Sequence, residues 1–319
     1  MSQTFTIAIC TRNRTAFLCC CLDALLIANA GIDAPIIVID NNSTDETQAT
    51  LATYTDRITV AREECTGLSH ARNKAIDLCR TPYLVFLDDD GVPDRGWATA
   101  VRDLIDSFEP DVFGGPYSPF YTGPKPNWFT DSLGTAHADL SDGRQSRNVC
   151  FSGGNMGWRL DLLKALGGFD PKLGIVGNKL RLGEETALQL AIWRQNPDAT
   201  FCFSKAMHMI HHVSREKMRL RYVHKRNFIY GWQLIDIDPS LPLVQSRWWR
   251  LMMTTKLGSP ILLRMIIRDR ARYPAWKTYV AAYLSYNSIL MGVAARQLND
   301  WLRVNTHGLP EPQVGRVQT

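Results

Sequence analysis

Three consecutive aspartates, Asp88-Asp89-Asp90, follow the apolar run Tyr83-Leu84-Val85-Phe86-Leu87 without a spacer, and Gly91-Val92-Pro93 then turns the chain. Adjacent carboxylates repel one another, so their grouping costs stability unless a cation or a set of donors sits beside them. The alternate members, Asp88 and Asp90, can reach one hard cation, and Mg2+ or Mn2+ favours such oxygen ligands together with substrate phosphates. The competing reading is an acidic helix N-terminus, but the strand-like residues feeding the run favour a site. A second acidic pair, Glu184-Glu185, opens a helical pattern after an irregular stretch over 172–183. A carboxylate there suits proton removal from a hydroxyl, although acids at a helix start are also ordinary. His208, His211 and His212 resemble a metal-ligand cluster by proximity alone.

Such groups need a scaffold, and the first 90 residues supply its pattern. Strand-like runs over 5–10, 35–40, 57–60 and 83–87 alternate with helical patterns over 15–29, 43–54 and 69–79. Strands that are apolar along their whole length imply a parallel sheet covered on both faces. In such sheets ligands bind at the carboxyl ends of strands, where Asp88–Asp90 fall. Beyond 91 the rhythm loosens: residues 114–127 are rich in Gly and Pro, 128–148 lack periodicity, and short helices are expected over 160–166 and 184–195. There is no Gly-x-Gly-x-x-Gly after the first strand, no Gly-x-x-x-x-Gly-Lys and no Gly-x-Ser-x-Gly, which argues against a dinucleotide enzyme, a P-loop NTPase and an α/β-hydrolase.

The chain has 319 residues, 45% hydrophobic and 21% charged, enough for one large domain or a domain with an appendage. Its net charge of +5 conceals an asymmetry: residues 1–200 balance to −7 and residues 201–319 to +12. An acidic body with a basic tail suggests chemistry in the first part and attachment to something anionic in the second. The eight cysteines form no Cys-x-x-Cys pair and mostly lie in apolar stretches, so they read as reduced, small hydrophobes of a cytoplasmic protein. No basic and apolar leader precedes the first strand.

Four segments in order, Thr11-Arg12-Asn13-Arg14, Val38 to Asp45, Gly67 to Asn73 and Phe86 to Asp90, resemble the motifs of family 2 glycosyltransferases. Gly153-Gly154-Asn155-Met156, Gly167-Gly168-Phe169-Asp170 and Gly183-Glu184-Glu185-Thr186 continue that pattern, so the resemblance covers about residues 5–195. It implies an α/β GT-A fold: a Rossmann-like, mostly parallel sheet flanked by helices. It also implies a nucleotide-sugar donor, a divalent cation (Mn2+ or Mg2+) and inversion at the anomeric carbon. Thr11 and Asp40 would then sit at the nucleobase and ribose, with Asn41 beside them where many members carry a second Asp. Arg14, Arg72 and Asp89 join the nucleotide-sugar residues, Arg72 approaching the diphosphate. Asp90 would be the direct metal ligand, with Asp88 shared between metal and ribose and His212 as the histidine near the metal. Glu185 stands where the family has an Asp as general base, with Glu184 supporting it. Gly154 and Asn155 would line the sugar or acceptor pocket, although a tight turn reads equally well there.

The body is expected to span 1–212 and a basic helical appendage 213–319. From 245 to 277 eight Lys and Arg face one acid, interleaved with Trp248, Trp249, Trp276 and aliphatics. Basic, Trp-rich amphipathic helices bind the membrane interface and anionic lipid. Polar residues within 278–295 argue against a spanning helix. A buried appendage or a homodimer element is the competitor; nucleic-acid binding is not expected. The function expected is transfer from a UDP-sugar to a saccharide or polyprenyl-diphosphate-linked acceptor in surface-polysaccharide synthesis, peripheral on the inner face of the cytoplasmic membrane. A sugar nucleotidyltransferase and a catalytically inactive glycan-assembly partner are the alternatives.

Overall fold

The computed structural model describes residues 4–146, 149–246 and 276–306. They group into two compact units, Met1–Val223 and His224–Thr319, so residues 213–223 belong with the body. In order, the body holds β1 (Phe5–Thr11), α1 (Thr15–Ala28), β2 (Ile36–Asp40), α2 (Thr47–Ala52), β3 (Thr59–Arg62), α3 (Leu68–Leu78), β4 (Tyr83–Leu87), β5 (Gly91–Pro93) and α4 (Trp97–Phe108). It continues through β6 (Val112–Gly114), β7 (Tyr117–Tyr121), β8 (Gly143–Arg144), β9 (Asn155–Arg159), α5 (Leu160–Ala165), α6 (Glu184–Gln195), β10 (Phe201–Phe203) and β11 (Met209–Val213). α7 (Leu220–Ile237) leads into the second unit, which adds α8 (Pro242–Gln245) and α9 (Trp276–Thr306).

The main sheet has eight strands in the order β3-β2-β1-β4-β9-β6-β10-β8. β3, β2, β1 and β4 run parallel, and β9 enters antiparallel between β4 and β6. Alternate residues of each strand enter separate cores, because side chains along a strand point to opposite faces. Phe5, Ile7 and Ile9 pack with Leu18, Leu22 and Leu25 of α1 and Val101 of α4. Ala8, Leu84 and Phe86 pack on the other face with Ala71 and Ala75 of α3 and Ile192 of α6. Two buried faces explain why these strands carry no polar alternation. α4, whose Trp97, Val101, Leu104 and Ile105 are buried, breaks the expectation of loose structure beyond 91.

A smaller sheet, β5-β11-β7, lies at the carboxyl end of β4. Its β5–β11 pairing sets His211 opposite Gly91, directly after the aspartates.

In the second unit α7 and α9 meet backbone to backbone. A Cβ at Gly231 would overlap the Ile289 carbonyl, and one at Gly292 the Phe228 carbonyl. Arg296 on α9 forks onto Asp236 at 2.8 and 3.0 Å. Among the described residues no helix is long and apolar enough to cross a membrane. The basic amphipathic segment expected over 245–277 falls almost wholly outside the described residues.

Candidate active site

The carboxyl ends of β1, β2 and β4 converge, and their polar side chains interlock. At the tip of β4 the three aspartates diverge. Asp88 is 38% exposed, whereas Asp89 and Asp90 are buried. Thr11 at the end of β1 donates from Oγ1 to Asp89 Oδ2 at 2.7 Å. Arg14 Nη1 reaches Asp89 Oδ1 at 2.9 Å and Asp90 Oδ2 at 2.8 Å. Burial pushes the Asp89 carboxyl up to about 6, with Arg14 opposing. Burial alone would raise Asp90 as well, but a hydrogen bond from His211 and the charges of Lys217, His211 and Arg14 overcome it and hold that carboxyl far below its ordinary range. Electrostatics therefore keep Asp90 ionised, as a metal ligand must be.

Asp88, Asp90 and His211 each offer one ligand atom, all within 4.8 Å of one another. Two carboxylate oxygens and an imidazole form a donor set that fits Mn2+ or Mg2+, leaving room for phosphate oxygens. The histidine is His211, not His212. Successive residues of β11 face opposite sides; His211 Nε2 lies 3.2 Å from Asp90 Oδ1. His212 instead pairs its Nε2 with Thr122 Oγ1 at 2.9 Å and stacks its ring on Phe17. His208 bridges Ser118 and Asp94, away from this group.

Arg72 is enclosed as well. It is 3% exposed, and its guanidinium lies 5.6 Å from the centre of the Phe86 ring and 5.3 Å from that of the Phe169 ring, which pack edge-on against each other. Nη1 donates to Glu184 Oε1 at 2.6 Å and Nη2 to the Gly153 carbonyl at 3.1 Å, with Asp88 Oδ1 3.9 Å away. An arginine so engaged braces α3 to the head of α6. Gly153 and Gly154 make room for this: a Cβ on the first would press on Arg72 Nη2 at 2.6 Å, and one on the second would overlap the Asp88 carboxylate. Asn155 is buried and fully engaged, taking Trp97 Nε1–H on Oδ1 and donating to the Pro116 and Met207 carbonyls. It pins β9 in place, with its side chain wholly enclosed.

Glu184 is buried against Arg72, and burial together with Glu185 raises its carboxyl to about 8, with Arg72 opposing. Glu185 Oε2 is buried and has no hydrogen-bond partner among the described residues. Such an atom is costly to leave bare. Asp40 accepts from Ser43 N–H, Gln48 Nε2 and Arg62 Nη1. Asn41 accepts from Gly67 N–H and donates to the Cys65 carbonyl. Both side chains are thus enclosed, and Arg62, 36% exposed beside Asp40, is the more open group at that end. Arg62 carried no local sequence signal, and the cluster of His208, His211 and His212 did not say which histidine faces the aspartates, since both positions depend on strand pairings made far along the chain.

Residues 6–167 match the model of "Glycosyl transferase family 2". The chain belongs to that family. A glucosyl-dolichyl phosphate glucuronosyltransferase of Haloferax volcanii is 22% identical over 217 residues, covering 65% of this chain and 68% of that protein. A shorter match, 31% identical over 34% of this chain, spans under half the length of mycobacterial relatives, 45%. The mannosyltransferase PcManGT of Pyrobaculum calidifontis, in complex with GDP-Man and Mn2+, is 17% identical over 93% of this chain and 87% of its own, with a TM-score of 0.59. S. aureus TarS 1–349, in complex with UDP, is 14% identical over 97% and 93%, with a TM-score of 0.53. These structures share the GT-A fold with this family member. Family membership leaves the nucleotidyltransferase alternative without support.

Proposed function

We propose that the chain is a divalent-metal-dependent, inverting glycosyltransferase that moves a sugar from a UDP-sugar to a hydroxyl of a lipid-linked glycan. The observation that carries this reading is one arrangement: Asp88, Asp90 and His211 as a ligand group, tied through Arg72 to the head of α6 where Glu185 presents an unpartnered buried oxygen. A dication held by Asp88, Asp90 and His211 would supply Lewis-acid stabilisation of the diphosphate. Glu185 accepts the acceptor's hydroxyl proton, and that oxygen bonds to the anomeric carbon on the face opposite the diphosphate. The anomeric C–O bond to the phosphate breaks, leaving its electron pair on the nucleoside diphosphate. Arg14 pairs with both Asp89 and Asp90, and Arg72 fixes Glu184 so that Glu185 keeps its place.

The uridine nucleotide is supported by the UDP complex of TarS. The lipid-linked acceptor is supported by the dolichyl phosphate in the archaeal relative's name. The basic, Trp-containing stretch at 245–277 supports attachment to the inner face of the membrane, which would place the site beside such an acceptor. A thermal-shift screen of UDP- and GDP-sugars with and without Mn2+ tests the donor: stabilisation by a UDP-sugar that requires Mn2+ is expected, and no nucleotide-dependent shift would refute the reading. Glu185→Gln should retain that shift and lose transfer; sustained turnover would remove Glu185 from the base role.

A further inference from the structure

A basic side chain outside the motif-bearing part of the chain reaches the same aspartate. Lys217 lies in the short segment between β11 and α7. Its Nζ stands 3.3 Å from Asp90 Oδ2 and 3.3 Å from the His212 carbonyl. Asp90 therefore has two sides. Oδ1 faces His211 at 3.2 Å, within the ligand group. Oδ2 carries Arg14 Nη1 at 2.8 Å and then Lys217. Arg14 Nη1 is shared with Asp89 Oδ1 and makes the shorter contact to that oxygen, so the ammonium, held at 3.3 Å, is the looser of the two cations and the freer to turn to another anion.

The backbone beneath Lys217 does not depend on its ion pair. Met218 is buried with Phe129, Val213 and Val223, and Lys217 N–H points to Ser214 Oγ at 3.3 Å. The side chain is 28% exposed, and an ammonium has three donors, of which two are used at long range. Three aspartates beside Arg14 and Lys217 leave one net negative charge. A bound dication would reverse this to one positive, a field that suits a diphosphate.

We propose that Lys217 is a diphosphate-binding residue of this site, its ammonium contacting phosphate oxygens of the nucleotide held at Asp88, Asp90 and His211. This rests on the nucleotide-sugar reading above. A compact, strongly hydrated ammonium serves phosphate as a point charge. Opposite a departing diphosphate it stabilises the charge that grows as the glycosidic bond breaks. The loop carrying Lys217 connects the metal histidine to α7, so a residue of the body's last segment contributes to donor binding.

The test is calorimetric titration of the full chain and of Lys217→Met and Lys217→Arg, first with MnCl2 alone and then with UDP at saturating Mn2+. Removing a cation beside the ligand group leaves Mn2+ affinity equal or tighter. Removing a phosphate contact weakens UDP about tenfold or more. These opposite signs are expected for Lys217→Met, with Lys217→Arg near wild type for UDP. UDP affinity within about twofold of wild type in Lys217→Met, or a UDP loss matched by a Mn2+ loss, would overturn the assignment; the second would make Lys217 a support for Asp90. Wild-type protein that binds Mn2+ but no UDP would overturn the donor reading itself, and the assignment with it.

Discussion

Glu184→Ala provides a sharp test of the Arg72 brace. Above the Glu184 pKa of about 8 the substitution removes a carboxylate 2.6 Å from Arg72 Nη1 and leaves the guanidinium, 3% exposed, to the more distant Asp88, 3.9 Å away. Breaking a buried ion pair by removing one partner costs about 3–5 kcal/mol. The unit that contains the pair spans Met1–Val223. At roughly 2.1 cal/mol/K per residue its unfolding entropy is about 0.47 kcal/mol/K, so Tm should fall by about 6–11 °C. Replacing both partners, Arg72→Met with Glu184→Met, leaves no orphaned charge, and an apolar pair of similar volume is often neutral in such places. The neighbours are the Phe86 and Phe169 rings, which suit methionine. The double variant should therefore melt well above Glu184→Ala. Differential scanning calorimetry of the single and double variants decides it. A single variant within about 2 °C of wild type, or a double variant no better than the single, would refute the picture of a brace whose charges need each other.

Gly154→Ala should displace the Asp88 carboxylate, whose Cγ would lie 2.7 Å from the new methyl group; Mn2+ affinity should fall about tenfold or more with far-UV circular dichroism unchanged. His211→Ala should weaken Mn2+ binding by about as much, while His212→Ala should leave it nearly intact; calorimetric titration of the two separates them. His137 accepts the Ser152 N–H on Nε2 at 3.1 Å, and burial lowers its pKa from 6.5. A depressed folded pKa contributes stability that is present above 6.5 and is lost as pH falls through the folded value. Tm should drop between pH 7.5 and 5, and His137→Gln, which can still accept on Oε1, should show a shallower drop; parallel profiles would remove His137 as a contributor.

Three of the first four strands were legible because each is buried on both faces and so reads as one apolar run, as in Ile36–Asp40 and Tyr83–Leu87, whereas β3 at the sheet edge is largely exposed. α4 was missed, although the spacing of its buried Trp97, Val101, Leu104 and Ile105 is helical. Asn155 misled for a different reason. Its Gly-Gly context suggested a polar pocket, whereas it begins β9, whose antiparallel place between β4 and β6 depends on pairings across tens of residues. The choice between His211 and His212 turns on the face each presents from β11, which only the pairing with β5 reveals. Arg72 follows the family pattern in sequence yet lies beside two aromatic rings, because Phe169 arrives from a turn nearly a hundred residues away.

The notches at Gly231 and Gly292 have a mechanical meaning for the second unit. Where two helices touch through carbonyl groups with no side chain between them, neither can slide along or roll about the other without steric collision. Arg296 clasping Asp236 then limits splaying further along the pair. The α7–α9 pair should accordingly move together around these contacts, so that a shift of one helix there carries the other with it.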